Sequence, residues 1–235
     1  MTPLNHASKG LLTILALTGL FTFSSCSKDD DDTTVDPDAT VKIVNVLPDA
    51  GSVDVFNGSS KLNSSAIAYG ESTGYMNIKK GDATFDFKAS VSGNTVLSAP
   101  VKFEKGESYS LFAAGETDGN TTVGILTEDD LSAPASGMAA IRFVHAGSDA
   151  PAVNFLANDS LLQGSIAYKS ATGFKQLAAG TYTIKLNNAA NGESIISRSS
   201  VVLTAGKLYT VVAQGLTSPT PVIEQPFALN IMANN

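Results

Sequence analysis

The stretch VKIVNVLPDAGSVDVF, residues 41–56, is answered further along the chain by IRFVHAGSDAPAVNFL, residues 141–156. Working outward, IAYGESTGY (67–75) aligns with IAYKSATGF (166–174), and VKFEKGESYSLFAAG (101–115) with VVLTAGKLYTVVAQG (201–215). The offset stays near 100 residues throughout, which is the mark of a duplicated domain and not of a short-period solenoid.

The apolar register survives between the copies. Phe85 and Phe87 alternate with Asp86 and Lys88, and Tyr182, Ile184 and Leu186 alternate with Thr183 and Lys185. Successive side chains of a strand point to opposite faces, so this period of two predicts half-buried strands. Tyr109, Leu111 and Ala113, matched by Tyr209, Val211 and Ala213, predict the same, with the intervening residues on a solvated face. Turn signals recur about every 8–12 residues, the spacing of a sandwich. Gly81 and Gly180, then Gly106 and Gly206, precede strands where a positive φ would close a hairpin, and Asp118-Gly119 marks another turn. The expectation is an all-β chain of two tandem antiparallel sandwiches, seven or eight strands per copy and no helix. The repeats span 40–131 and 139–235, joined by a linker at 132–138 that contains SAPASG.

The 235 residues carry 22 acidic against 15 basic side chains, a formal net charge of −7, and no tryptophan. That sign disfavours a nucleic-acid partner. Cys26 is the only cysteine, so no internal disulfide can form and stability must come from packing. It follows an apolar run, Gly10–Phe23, too short to span a bilayer but suited to the core of a signal peptide. An uncleaved anchor is the competing reading of that run, and an incidental free thiol that of Cys26.

Phe23-Ser24-Ser25-Cys26 resembles a bacterial lipoprotein signal, with Phe23 where leucine is usual. The resemblance implies that 1–25 is a leader and that Cys26 is the lipidation site, giving a membrane partner through acyl chains worth about 0.8 kcal/mol per buried methylene. Residues 26–39, the cysteine and SKDDDDTTVDPDA, read as an acidic tether unable to bury enough surface to fold. The Ser-Lys-acidic run resembles an export signal of outer-membrane lipoproteins, which implies cell-surface exposure. The alternatives are a periplasm-facing protein with a plain spacer, or a weak calcium site without preformed geometry.

Arg142-Phe143-Val144-His145-Ala146-Gly147-Ser148-Asp149-Ala150-Pro151, with Asn45 and Pro48-Asp49-Ala50 at matching places in the first copy, resembles the repeats of the bacterial domain of unknown function 4397. The resemblance implies immunoglobulin-like sandwiches in secreted or anchored proteins and no particular chemistry.

His145, with Ser148 and Asp149 close behind it, poses the question of a hydrolytic triad. A triad needs groups converging from separate elements plus oxyanion donors, which a single turn does not supply. Asn45 stands at the position of His145 in the other copy, and the two share the ability to donate and accept hydrogen bonds together. His145 is therefore read as structural. Asp49 and Asp149 are expected to make Asx turns with the following amides. Tyr109 and Tyr209 are candidates for a tyrosine corner or for core filling. Tyr69, Tyr168, Tyr75 and Phe174 are read as packing, against an aromatic platform for sugar. No phosphate loop or metal-spaced cluster appears, so no cofactor or metal is expected. The functional expectation is a non-catalytic adhesion, binding or structural module with a surface glycan or protein as partner. The alternatives are a hydrolase using His145 and a pilin-like assembling subunit that pairs edge strands.

Overall fold

A computed structural model describes residues 38–235. The leader, Cys26 and nearly all of the tether lie outside the described residues. The first copy forms β1 (Ala39–Asn45), β2 (Val53–Asn57), β3 (Ser60–Lys61), β4 (Met76–Ile78), β5 (Gly81–Ala89), β6 (Thr95–Phe103), β7 (Ser108–Ala114) and β8 (Val123–Glu128). The second repeats the series as β9 (Met138–His145), β10 (Val153–Ala157), β11 (Ser160–Ile166), β12 (Lys175–Ala178), β13 (Gly180–Asn188), β14 (Ser194–Leu203), β15 (Leu208–Gln214) and β16 (Ala228–Ala233). No helix occurs among the described residues. Each copy is a sandwich of two four-stranded sheets, β4-β1-β7-β8 on β3-β2-β5-β6 and β12-β9-β15-β16 on β11-β10-β13-β14.

The alternating residues build the two cores as expected. Val41, Ile43, Phe85, Phe87, Phe103 and Leu111 meet in the first, with Phe85 and Phe103 centroids 5.7 Å apart. Phe143, Phe155, Ile184, Leu186 and Val211 meet in the second, where Phe143 stacks on Phe155 at 5.0 Å. One pair in each sandwich departs from antiparallel order: β1 runs parallel to β7, and β9 to β15. Parallel neighbours cannot be joined by a tight hairpin, and here the connection between them builds the opposite sheet.

A second departure concerns the faces expected to meet solvent. Along β1, β7, β9 and β15 the alternate side chains are buried as well, including Lys42 at 5 % exposure and Arg142 at 1 %. The outer face of the β4-β1-β7-β8 sheet packs on the outer face of β12-β9-β15-β16 through a third cluster, Val44, Val46, Phe112, Ile125, Val144 and Val212. The molecule is thus four sheets deep, and these strands are covered on both sides by protein.

The turn glycines divide. Gly81, Gly106 and Gly206 take positive φ of 106°, 86° and 79°, while Gly180 does not and simply begins β13.

Candidate functional site

His145 ends β9 with its ring buried, and its Nε2 lies 3.0 Å from the Pro151 carbonyl oxygen. Asn45 ends β1 and donates from Nδ2 to the equivalent carbonyl, that of Gly51, at 2.8 Å and to that of Ile67 at 3.0 Å. In both copies the side chain pins the turn that leads into the next strand. Burial holds the imidazole below its ordinary value near 6.5, opposed by the bond to Pro151, so the ring is neutral at physiological pH. Its edge packs against Tyr168 with centroids 6.3 Å apart.

The would-be partners are engaged elsewhere. Ser148 donates to Glu116 across the domain contact at 2.6 Å. Asp149 accepts from the Thr217 amide at 2.8 Å, the Thr217 hydroxyl at 2.7 Å and the Ser218 amide at 3.0 Å. Asp49 does the same with Thr117 and Asp118. The expected Asx turns with following amides are therefore wrong: both carboxylates reach 68 residues ahead. Each ties the loop after the first strand of its copy to the loop after the seventh, Asp149 through both oxygens and Asp49 through Oδ2 alone, its buried Oδ1 having no partner among the described residues.

Tyr109 and Tyr209 form the corner. Each phenol oxygen accepts from the amide five residues upstream, Glu104 or Thr204, at 3.1 Å. Tyr75 and Phe174 belong to the domain contact. Lys42 Nζ sits 4.9 Å from the Tyr75 centroid, and the Arg142 guanidinium carbon 4.7 Å from that of Phe174. Burial pushes the phenols of Tyr69, Tyr75 and Tyr168 up to about 12.

Between the sandwiches runs a polar network that the sequence reading missed. Arg142 Nη1 pairs with Asp129 Oδ1 at 2.6 Å, Nε donates to Thr210 Oγ1 at 2.9 Å and Nη2 to Ser110 Oγ at 3.3 Å. Asp129 also accepts from Thr127 at 2.9 Å and from Ser110 and Tyr75 at 2.5 Å each. Asn234 donates to the Tyr75 hydroxyl at 3.1 Å, and Lys42 to the Ala233 carbonyl at 3.0 Å. Desolvation lowers the Lys42 ammonium from 10.5 to about 8, with the Asp129 charge opposing and Arg142 adding to the shift. Among the described residues no cluster of acidic, histidine or cysteine side chains is placed to hold a metal ion.

Two concave sites recur at equivalent places. The segment joining β3 to β4 encloses a cleft of about 450 Å³ lined by Ser64, Ser65, Ser72, Gly74 and Tyr75. The corresponding stretch around β11 and β12 encloses one of about 460 Å³ lined by Gln163, Ser165, Ser170, Gly173 and Phe174. Both volumes fall within the roughly 300–1,000 Å³ typical of small-molecule sites.

A protein-family model described as "Domain of unknown function (DUF4397)" matches residues 39–156 and 139–225. Comparison with curated proteins gives no match. Among solved structures, CBMbc (family CBM26) from Eubacterium rectale Amy13K, in complex with maltoheptaose, aligns at 10 % identity over 80 % of this chain and 99 % of its own, with a TM-score of 0.26. The fimbrial anchor protein Mfa2 from Porphyromonas gingivalis aligns at 8 % identity over 83 % and 97 %, with a TM-score of 0.20.

Proposed function

The chain belongs to the family of domain of unknown function 4397, and from that premise we propose that it is a lipid-anchored protein of the bacterial cell envelope whose paired sandwiches act as a non-catalytic binding or structural module. The observation that carries the non-catalytic reading is the equivalence of His145 and Asn45. A general base has no substitute in an amide, because asparagine cannot take up a proton near neutral pH. What the two residues do share is the hydrogen bond to the carbonyl at position 151 or 51. The anchoring part of the reading rests on Cys26 and its flanks, and outer-membrane surface exposure on the Ser27-Lys28-acidic run.

Assembly by edge-strand pairing has less support. Pro100 interrupts the donors of edge strand β6, and Ser200, at φ 59°, places an irregularity in edge strand β14. The test of the central claim is His145→Asn assayed with ester and peptide substrates. The variant is expected to fold and to match the wild type throughout. Turnover by the wild type that disappears in a normally folded variant would establish a hydrolase instead.

A further inference from the structure

Gly115 and Gly215 show why this fold keeps some of its glycines. Their φ values are +89° and +81°, and a Cβ would stand 2.4 Å from the Thr121 carbonyl oxygen or 2.2 Å from that of Pro226. Neither reason applies to Gly74 and Gly173, which hold matching places in STGY and ATGF. Their φ lies outside the left-handed region, and a Cβ on either would meet nothing within 4 Å. Both are exposed, and each lines one of the two equivalent clefts. Both lie in the loops that lead into β4 and β12, outside the strands themselves. A residue whose lack of a side chain nothing within the chain requires, present at one place in both copies, leaves room for something outside the chain.

The walls say what that is. Serine hydroxyls, with Gln163 in the second cleft, offer donors and acceptors, and one aromatic ring, Tyr75 or Phe174, lines each cleft while buried Lys42 or Arg142 covers its other side. Charge is not the shared chemistry. The first cleft holds Glu71 and the second Lys175, opposite in sign, and the Lys175 ammonium already donates to the Leu162 carbonyl. Hydroxyl-bonding groups beside an aromatic ring suit a ligand with a polar rim and a C–H face.

We propose that these clefts are twin binding sites for a neutral saccharide. The proposal rests on the binding-module reading and gives it a ligand class. Tyr75, in the wall of the first cleft, is bonded by Asn234 just past the end of β16, whereas the second cleft lies at the start of β12, the opposite edge of the same sheet.

The test is the full chain in detergent on an array of neutral and charged oligosaccharides, followed by calorimetric titration with the neutral oligosaccharide retained best. Two equivalents per chain are expected. Gly74→Phe and Gly173→Phe should each remove one, and the double variant should weaken binding at least tenfold with an unchanged urea midpoint. Should Gly74→Phe unfold, Ala66→Trp, exposed in the wall of the same cleft, replaces it. Undiminished binding by a folded double variant would overturn the clefts while leaving a binding module. Retention of charged glycans alone, or of no glycan, would overturn the ligand class. The broader reading fails separately, by turnover that depends on His145.

Discussion

Asp129→Ala is the sharpest probe of the contact between the sandwiches. The carboxylate is fully buried and accepts from Arg142, Thr127, Ser110 and Tyr75 at 2.5–2.9 Å. Removing it leaves the Arg142 guanidinium, 1 % exposed, with the Thr210 hydroxyl as its closest remaining acceptor and no countercharge. Breaking one side of a buried pair costs about 3–5 kcal/mol, because the surviving ion cannot recover its hydration. With a urea slope of about 2 kcal/mol/M, the midpoint should fall by at least about 1.5 M. Arg142→Met combined with Asp129→Leu should recover most of the loss, since replacing both charges with apolar groups removes the desolvation penalty. The exposed Lys102–Glu104 pair is the control, and Glu104→Ala should shift nothing measurable. A midpoint for Asp129→Ala within 0.3 M (roughly 0.6 kcal/mol at that slope) of the wild type would refute the account, because it would mean that the pair is hydrated and the sheets do not seal against one another.

His145 has a folded-state pKa below its ordinary 6.5, so the unfolded chain takes the proton first as pH falls. Stability supplied by the neutral buried ring is complete above about 6.5 and is lost on acidification. The wild type should therefore lose more stability than His145→Asn between pH 7 and 5 in matched urea titrations, and equal losses would contradict the burial. Tyr209→Phe removes the acceptor for the Thr204 amide and should cost about 1 kcal/mol by chemical denaturation, with Tyr109→Phe costing a similar amount. Cys26→Ala should move the protein from the membrane to the soluble fraction on cell fractionation, and continued retention would refute lipidation.

The sandwiches were legible because period two is a strong signal where one face is dry, as at Phe85, Phe87, Ile184 and Leu186. The domain contact was also written in the chain, in a different form. In VKIVNV the residues at 41, 43, 44 and 46 are apolar, and in IRFVHA so are 141, 143, 144 and 146, so both parities are filled. Near-continuous apolar runs mark strands covered on both faces. Lys42 and Arg142 obscured this, because a cation in a strand ordinarily marks its wet side. The reach of Asp49 and Asp149 to loops 68 residues on left no local trace, since a carboxylate after a strand suits a nearby turn equally well.

The two faces of the contact are not interchangeable. Their cations occupy equivalent positions, Lys42 and Arg142, but the groups that meet them do not match: Asp129 ends the path from β8, whereas Asn234 holds the same place after β16. Arg142 therefore has its countercharge only on the first copy. If two second copies paired through this face, each would bury an arginine against an amide, leaving an uncompensated ion in a dry sheet interface. Lys42 tolerates the lack of a direct carboxylate contact because its ammonium, already lowered to about 8, bonds a backbone carbonyl instead. The unlike residues at 129 and 234 make each face select the other copy over a second copy of itself. That selection fixes two clefts on opposite flanks of one body.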